Sequence, residues 1–176
     1  VNSTNPNENA WAKFERSKVS AAEFDQLFLS ESTALGHPVA GGDVIKLLSG
    51  SLRPRMIEAL TQIGKTHKCV CLTNNVPAGK GPGMSRSEAE QKAVLDVMAL
   101  FDQVIESSKI GMRKPDPQIY TYTCEQMGVT PDEILYLDDL GVNLKPAAAM
   151  GMKTIKVVSE EQALNDLGTH LGQSFI

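Results

Sequence analysis

Apolar residues recur along this chain at two periods. The first is helical. Ser20-Ala21-Ala22-Glu23 forms a capping box, and Phe24, Leu27, Phe28 and Leu35 follow at three- and four-residue intervals until Gly36-His37-Pro38 stops the pattern. Shorter helical patterns fit residues 11–16 and 44–48, so residues 1–50 predict helices only. From about residue 52 helices alternate with short apolar runs. Residues 56–63 predict a helix with Pro54 near its start and Gly64 at its end. Residues 67–72 predict a strand ending in Thr73-Asn74-Asn75, and a Gly- and Pro-rich loop covers 76–83. Ser85-Arg86-Ser87-Glu88 caps a helix running towards Ala99, and a strand lies within 101–106. A loop over 111–117 leads to a helix over 118–127, closed by Gly128. The run Ile134-Leu135-Tyr136-Leu137 then ends abruptly in Asp138-Asp139, as a buried strand leaving its sheet would. A helix over 144–150, a strand over 153–158 and a helix capped by Ser159-Glu160-Glu161-Gln162 complete the chain.

This alternation predicts an α/β fold with a mainly parallel sheet over residues 51–176, beside a helical lobe formed by residues 1–50. With 176 residues the chain suits one domain with a small lobe. No internal repeat or low-complexity tract interrupts it. The net charge of −4 and the lack of a basic block argue against nucleic-acid binding. No apolar run is long enough to span a bilayer, and the polar start has no signal-peptide pattern, so no membrane is expected and a cytoplasmic location is the default. The first residue is Val1 rather than Met, which suits a truncated or processed product. Cys69, Cys71 and Cys124 lack zinc-site spacing and read as reduced thiols, with a redox role as the alternative.

Three loops bring different chemistry to strand ends, and in open α/β sheets the carboxyl edge is where ligands bind. Thr73 offers a hydroxyl, and the backbone N–H groups of Asn74 and Asn75 suit either an anion site or a plain turn. Lys114 offers a cation on a loop stiffened by Pro115 and Pro117, or is a solvated surface lysine. Two charges ~4 Å apart repel by about 4 kcal/mol at an effective dielectric of ~20. Asp138 and Asp139 therefore suit a hard cation such as Mg²⁺, with a helix N-cap as the alternative reading.

Leu72-Thr73-Asn74-Asn75, Lys114-Pro115-Asp116-Pro117 with Tyr120, and Leu137-Asp138-Asp139-Leu140-Gly141-Val142-Asn143 resemble, in order and spacing, motifs two, three and four of the haloacid dehalogenase superfamily. Val104-Ile105-Glu106-Ser107, Gly111-Met112-Arg113-Lys114-Pro115 and Asn143-Leu144-Lys145 are similar to its soluble epoxide hydrolase branch, in the phosphatase-like N-terminal lobe. The resemblance implies a Rossmann-like core with a small helical cap. It implies Mg²⁺-dependent hydrolysis of a small phosphorylated substrate through an aspartyl-phosphate. Thr73, with Asn74 and Asn75, would contact the phosphoryl group, and Lys114 would neutralise it and orient the nucleophile. Asp138 and Asp139 would hold the metal, with Asn143 in support. The acidic pair favours phosphate esters over carbon–halogen bonds; a 2-haloacid dehalogenase and a non-catalytic binding or assembly module are the alternatives.

The family's first motif, Asp-x-Asp, is missing from this sequence. None of the aspartates at 25, 43, 96, 102, 116, 132, 138, 139 and 166 forms it. The resemblance places it upstream of Val1, on a strand between those ending at Thr73 and Asp138, so the 176 residues alone are expected to be inactive. Buried backbone groups left unpaired cost about 1–3 kcal/mol each. The gap is therefore expected to be closed by a strand from another chain, by a swap within a homodimer, or by direct pairing of the two flanking strands.

Overall fold

The computed structural model describes residues 5–48, 50–76 and 88–175. It is an α/β structure of short strands and many helices. Its contacts divide the chain into two compact units, each made of several segments. The first unit comprises Val1–Ser51, Cys71–Ala99 and Val104–Arg113; the second comprises Leu52–Val70, Leu100–Gln103 and Lys114–Ile176.

The first unit opens with α1 (Ala10–Glu15), α2 (Ala21–Ala34) and α3 (Gly41–Leu47). Asn9 caps α1 by accepting the Ala12 N–H, and Ser20 and Glu23 close the reciprocal box expected at α2. The helical spacing of the aromatics has its reason in the core. Phe14 and Phe24 are fully buried and stack with centroids 4.4 Å apart, while Trp11 meets Phe24 edge-on at 5.5 Å. Phe28 and Val76 complete this cluster. Gly41 begins α3 directly against it, where a Cβ would lie 2.6 Å from the Phe24 ring. Glu15 is buried and receives Arg113 Nε at 2.5 Å, which ties α1 to a segment 98 residues away.

Helix α5 (Glu88–Met98) and the single turn α6 (Ser107–Ile110) also lie in the first unit. The expected cap at residues 85–87 and most of the loop over 76–83 lie outside the described residues. Strands β1 (Val70–Thr73) and β2 (Gln103–Glu106) form a two-stranded sheet.

In the second unit, α4 (Pro54–Ile63) packs on α9 (Glu160–Leu171). Helix α7 (Pro117–Met127) is capped by Asp116 and closed by Gly128 in the left-handed region, φ 69°. Strand β3 (Leu135–Asp138) runs parallel to β4 (Lys153–Lys156), with Leu135 opposite Lys153 and Asp138 opposite Lys156. Between them α8 (Gly141–Ala149) forms the crossover of a βαβ unit, packed on both strands. Ile119, Tyr120, Leu144, Ala147, Ile155 and Leu164 fill the interior.

Among the described residues β1 pairs only with β2 and β3 only with β4, so the direct pairing of β1 with β3 offered above is not formed. Each pair is instead made by strands consecutive in the chain, as sequential strands more often than not are. No strand occurs among the described residues before Val70.

Candidate active site

Strand β3 sets the site. Side chains two residues apart on a strand share a face, so Tyr136 and Asp138 project together. Asp138 is the last residue of β3 and Gly141 the first of α8, so the carboxylate stands where the sheet gives way to a helix N-terminus. Asp138 is buried and heavily hydrogen-bonded. Its Oδ2 accepts from Lys114 Nζ at 2.6 Å, the Tyr136 hydroxyl at 2.6 Å and the Asn143 amide at 3.2 Å. Its Oδ1 accepts from the Leu140 N–H at 2.8 Å and the same Asn143 amide at 3.0 Å. Asp138 is not the N-cap offered as the alternative: Leu140 holds that position without a side-chain cap, and the carboxylate takes the Leu140 N–H just ahead of α8.

Lys114 is a buried lysine rather than a solvated one, at 9% exposure. Its ammonium also lies 5.9 Å from the Tyr136 ring centre. Asn143 is brought inward by α8, and its carbonyl accepts the Tyr120 hydroxyl at 2.6 Å, which locks α7 to α8. Tyr120 and Tyr136 meet edge to face at 5.8 Å. Asp139 is exposed beside this cluster.

Thr73 ends β1 in the first unit. Asn75, in the same unit, is engaged elsewhere than the phosphate site expected of it. Its N–H donates to Ser107 Oγ at 3.1 Å, its amide donates to Glu106 at 2.7 Å, and its side-chain oxygen accepts from the Ser108 N–H and hydroxyl. These bonds pin the loop after β1 to the start of α6. The Asn75 N–H counted on for an anion is occupied there, since a half-buried backbone donor needs a partner of its own. Asn74 adjoins it in the same loop.

Burial disfavours the charged form of Asp138. The hydrogen bonds from Lys114 and Tyr136, the Lys114 charge and the Leu140 N–H outweigh it, and hold the carboxyl below its ordinary range. Burial and the Asp138 charge together push the Tyr136 and Tyr120 phenols well above theirs. The signs give opposite limbs. An unfolded Asp takes up its proton near pH ~3.9, so the Asp138 contribution to stability is complete above that value and lost as pH falls through and below it. The tyrosine contribution is complete below about pH 10 and lost as pH rises further. Urea midpoints are expected to fall on both sides, and Asp138→Asn should flatten the acid limb; an unchanged acid limb in that variant would refute the assignment.

A family model for haloacid dehalogenase-like hydrolases matches residues 8–151. The chain belongs to the haloacid dehalogenase-like hydrolases. Among curated relatives of this hydrolase, mouse bifunctional epoxide hydrolase 2 is 34% identical over 125 residues, 71% of the chain. The chain spans only 22% of that relative's length. A sesquiterpene phosphatase of Aspergillus oryzae is 28% identical, over 83% of the chain and 71% of its own length. Two solved structures share the fold. A predicted haloacid dehalogenase-like hydrolase from Porphyromonas gingivalis has a TM-score of 0.68 at 19% identity, covering 97% of this chain and 82% of that one. An enzyme of the family from Bacteroides thetaiotaomicron, in complex with magnesium and inorganic phosphate, has a TM-score of 0.62 at 18% identity, covering 88% and 77%.

Magnesium takes hard oxygen ligands and is held by one or two carboxylates, with water and substrate phosphate completing its shell. Asp138 and Asp139 have that chemistry. Among the described residues no group of three or more His, Cys, Asp or Glu gathers to make a fuller cage. The donor type therefore fits magnesium, with Asp138 and Asp139 as the adjacent carboxylates among the described residues. Motif reading passed over Tyr136 as a plain apolar-strand residue. Its position two residues before Asp138 was the available signal, because strand periodicity sets the two on one face.

Proposed function

We propose that the chain is the core of a phosphate-ester hydrolase acting on a small phosphorylated molecule. What carries the reading is the buried Lys114–Asp138 pair at the carboxyl end of β3, in a chain of this family. A preorganised cation at the point where phosphoryl charge accumulates stabilises a transition state without further reorganisation. Lys114 would supply that charge. Asp138, with Tyr136 and Asn143 bonded to it, would fix where the ammonium stands. Thr73 keeps the role the resemblance implies, donating its hydroxyl to a phosphoryl oxygen. Magnesium, when bound, would be held by Asp138 and Asp139 and would neutralise phosphate charge. The phosphatase names among the relatives support this chemistry over dehalogenation.

The covalent step needs the aspartate of an Asp-x-Asp motif, which these 176 residues do not contain. Hydrolysis of p-nitrophenyl phosphate with magnesium is therefore expected at background for this chain. It should rise by orders of magnitude in a version carrying an Asp-x-Asp segment ahead of residue 1, and be lost again from that version in Lys114→Ala. Full turnover by the 176 residues would overturn the assignment of the nucleophile. Phosphate binding without turnover in the longer form would favour a binding module.

A further inference from the structure

The Asp138 carboxylate has no lone pair to spare. An ionised carboxylate offers about four acceptor positions on its two oxygens. Four groups already use them: Lys114 and Tyr136 on Oδ2, Leu140 N–H on Oδ1, and the Asn143 amide across both. A cation that coordinates Asp138 directly has to displace one. The four differ in what holds them. The Leu140 N–H is main chain at the head of α8. Asn143 is buried on α8 and anchored through its carbonyl to Tyr120. Lys114 is buried with the carboxylate, and displacing it would take from a buried ammonium the carboxylate it pairs with. The Tyr136 hydroxyl is neutral and makes a single bond to the carboxylate, so displacing it separates no charges. Its release forfeits one neutral donor.

We propose that Tyr136 is a positioning residue that latches Asp138, its hydroxyl occupying the Oδ2 position a divalent cation would take and so setting how tightly the chain binds one. The inference rests on the reading of Asp138 as a cation ligand given under the proposed function. On this account the tyrosine keeps the Lys114–Asp138 pair neutral and ordered when no cation is present, and metal binding must first break the latch. Tyr136→Phe removes the hydroxyl while keeping the ring that packs on Tyr120.

The test is a titration of the 176-residue chain with Mn²⁺, read from the loss of the free-ion electron spin resonance signal. Tyr136→Phe should bind Mn²⁺ about fivefold more tightly than the parent, the equivalent of one neutral hydrogen bond no longer opposing the ion. Asp138→Asn should abolish binding in both backgrounds. A second readout uses the parent protein alone: Mn²⁺ should perturb tyrosine ultraviolet absorption with the same midpoint, and this signal should vanish in Tyr136→Phe. Equal or weaker Mn²⁺ binding by Tyr136→Phe, or no tyrosine signal in the parent, overturns the latch while leaving Asp138 a ligand if Asp138→Asn still abolishes binding. Binding that survives Asp138→Asn, or none in any form, overturns the reading of Asp138 as a ligand and the latch with it.

Discussion

Phe24→Ala is expected to destabilise the first unit by about 3–5 kcal/mol, the range for deleting a fully buried aromatic side chain. Phe24 touches every other aromatic of the helical core: Phe14 stacked at 4.4 Å, Trp11 at 5.5 Å and Phe28 at 5.5 Å. Truncation leaves a cavity walled by rigid rings, which relax poorly into it. The side of the ring facing Gly41 cannot be refilled by α3 without moving its first turn. Trp11 is the chain's single tryptophan, so its fluorescence reports this cluster alone. Urea unfolding followed by that signal should show the midpoint falling sharply. A loss below about 1 kcal/mol would mean that the cluster is not the centre of the unit's stability.

Lys114→Met is expected to cost about 3 kcal/mol, at the lower end of the range for breaking a buried ion pair. The cost comes less from the lost attraction than from the carboxylate left behind. The Tyr136, Asn143 and Leu140 donors would still hold Asp138, and they soften the penalty without neutralising the charge. The double variant Lys114→Met/Asp138→Asn should therefore recover much of the loss, giving a coupling energy of about 2 kcal/mol in a double-mutant cycle. Additive effects, or a single-variant loss under about 1 kcal/mol, would equate the pair with an exposed surface salt bridge.

Sequence periodicity located the helices that bury a face, as α2, α7 and α9 do. The aromatics of α2 and the capping residues Ser20 and Ser159 mark ends that the structure keeps. Periodicity failed where an element is too short to show a period. Helix α6 is one turn, closed by Gly111 at φ 70°, and falls in the gap left unassigned between the strand within 101–106 and the loop over 111–117. It failed again at the start of α8, where the apolar pattern begins at Leu144 but the helix begins at Gly141, nearly one turn earlier and without a side-chain cap to mark it. At the site, the motif residues Lys114, Asp138 and Asn143 were legible as types and were found together. What sequence could not supply was hydrogen-bond allocation. Nothing in the string Thr73-Asn74-Asn75 says that Asn75 is committed to Glu106, Ser107 and Ser108, more than thirty residues on. Nor does it say that a tyrosine on a strand donates to its own strand's terminal carboxylate.

Because the two units are interleaved along the chain, order of synthesis matters. Arg113 supplies the partner of buried Glu15, so the amino-terminal helices cannot finish folding until residue 113 has left the ribosome. Helix α4 must wait longer still, since its partner α9 begins about a hundred residues further along the chain. At about 5–20 residues per second, the roughly one hundred residues between them leave the apolar face of α4 uncovered for some 5–20 seconds.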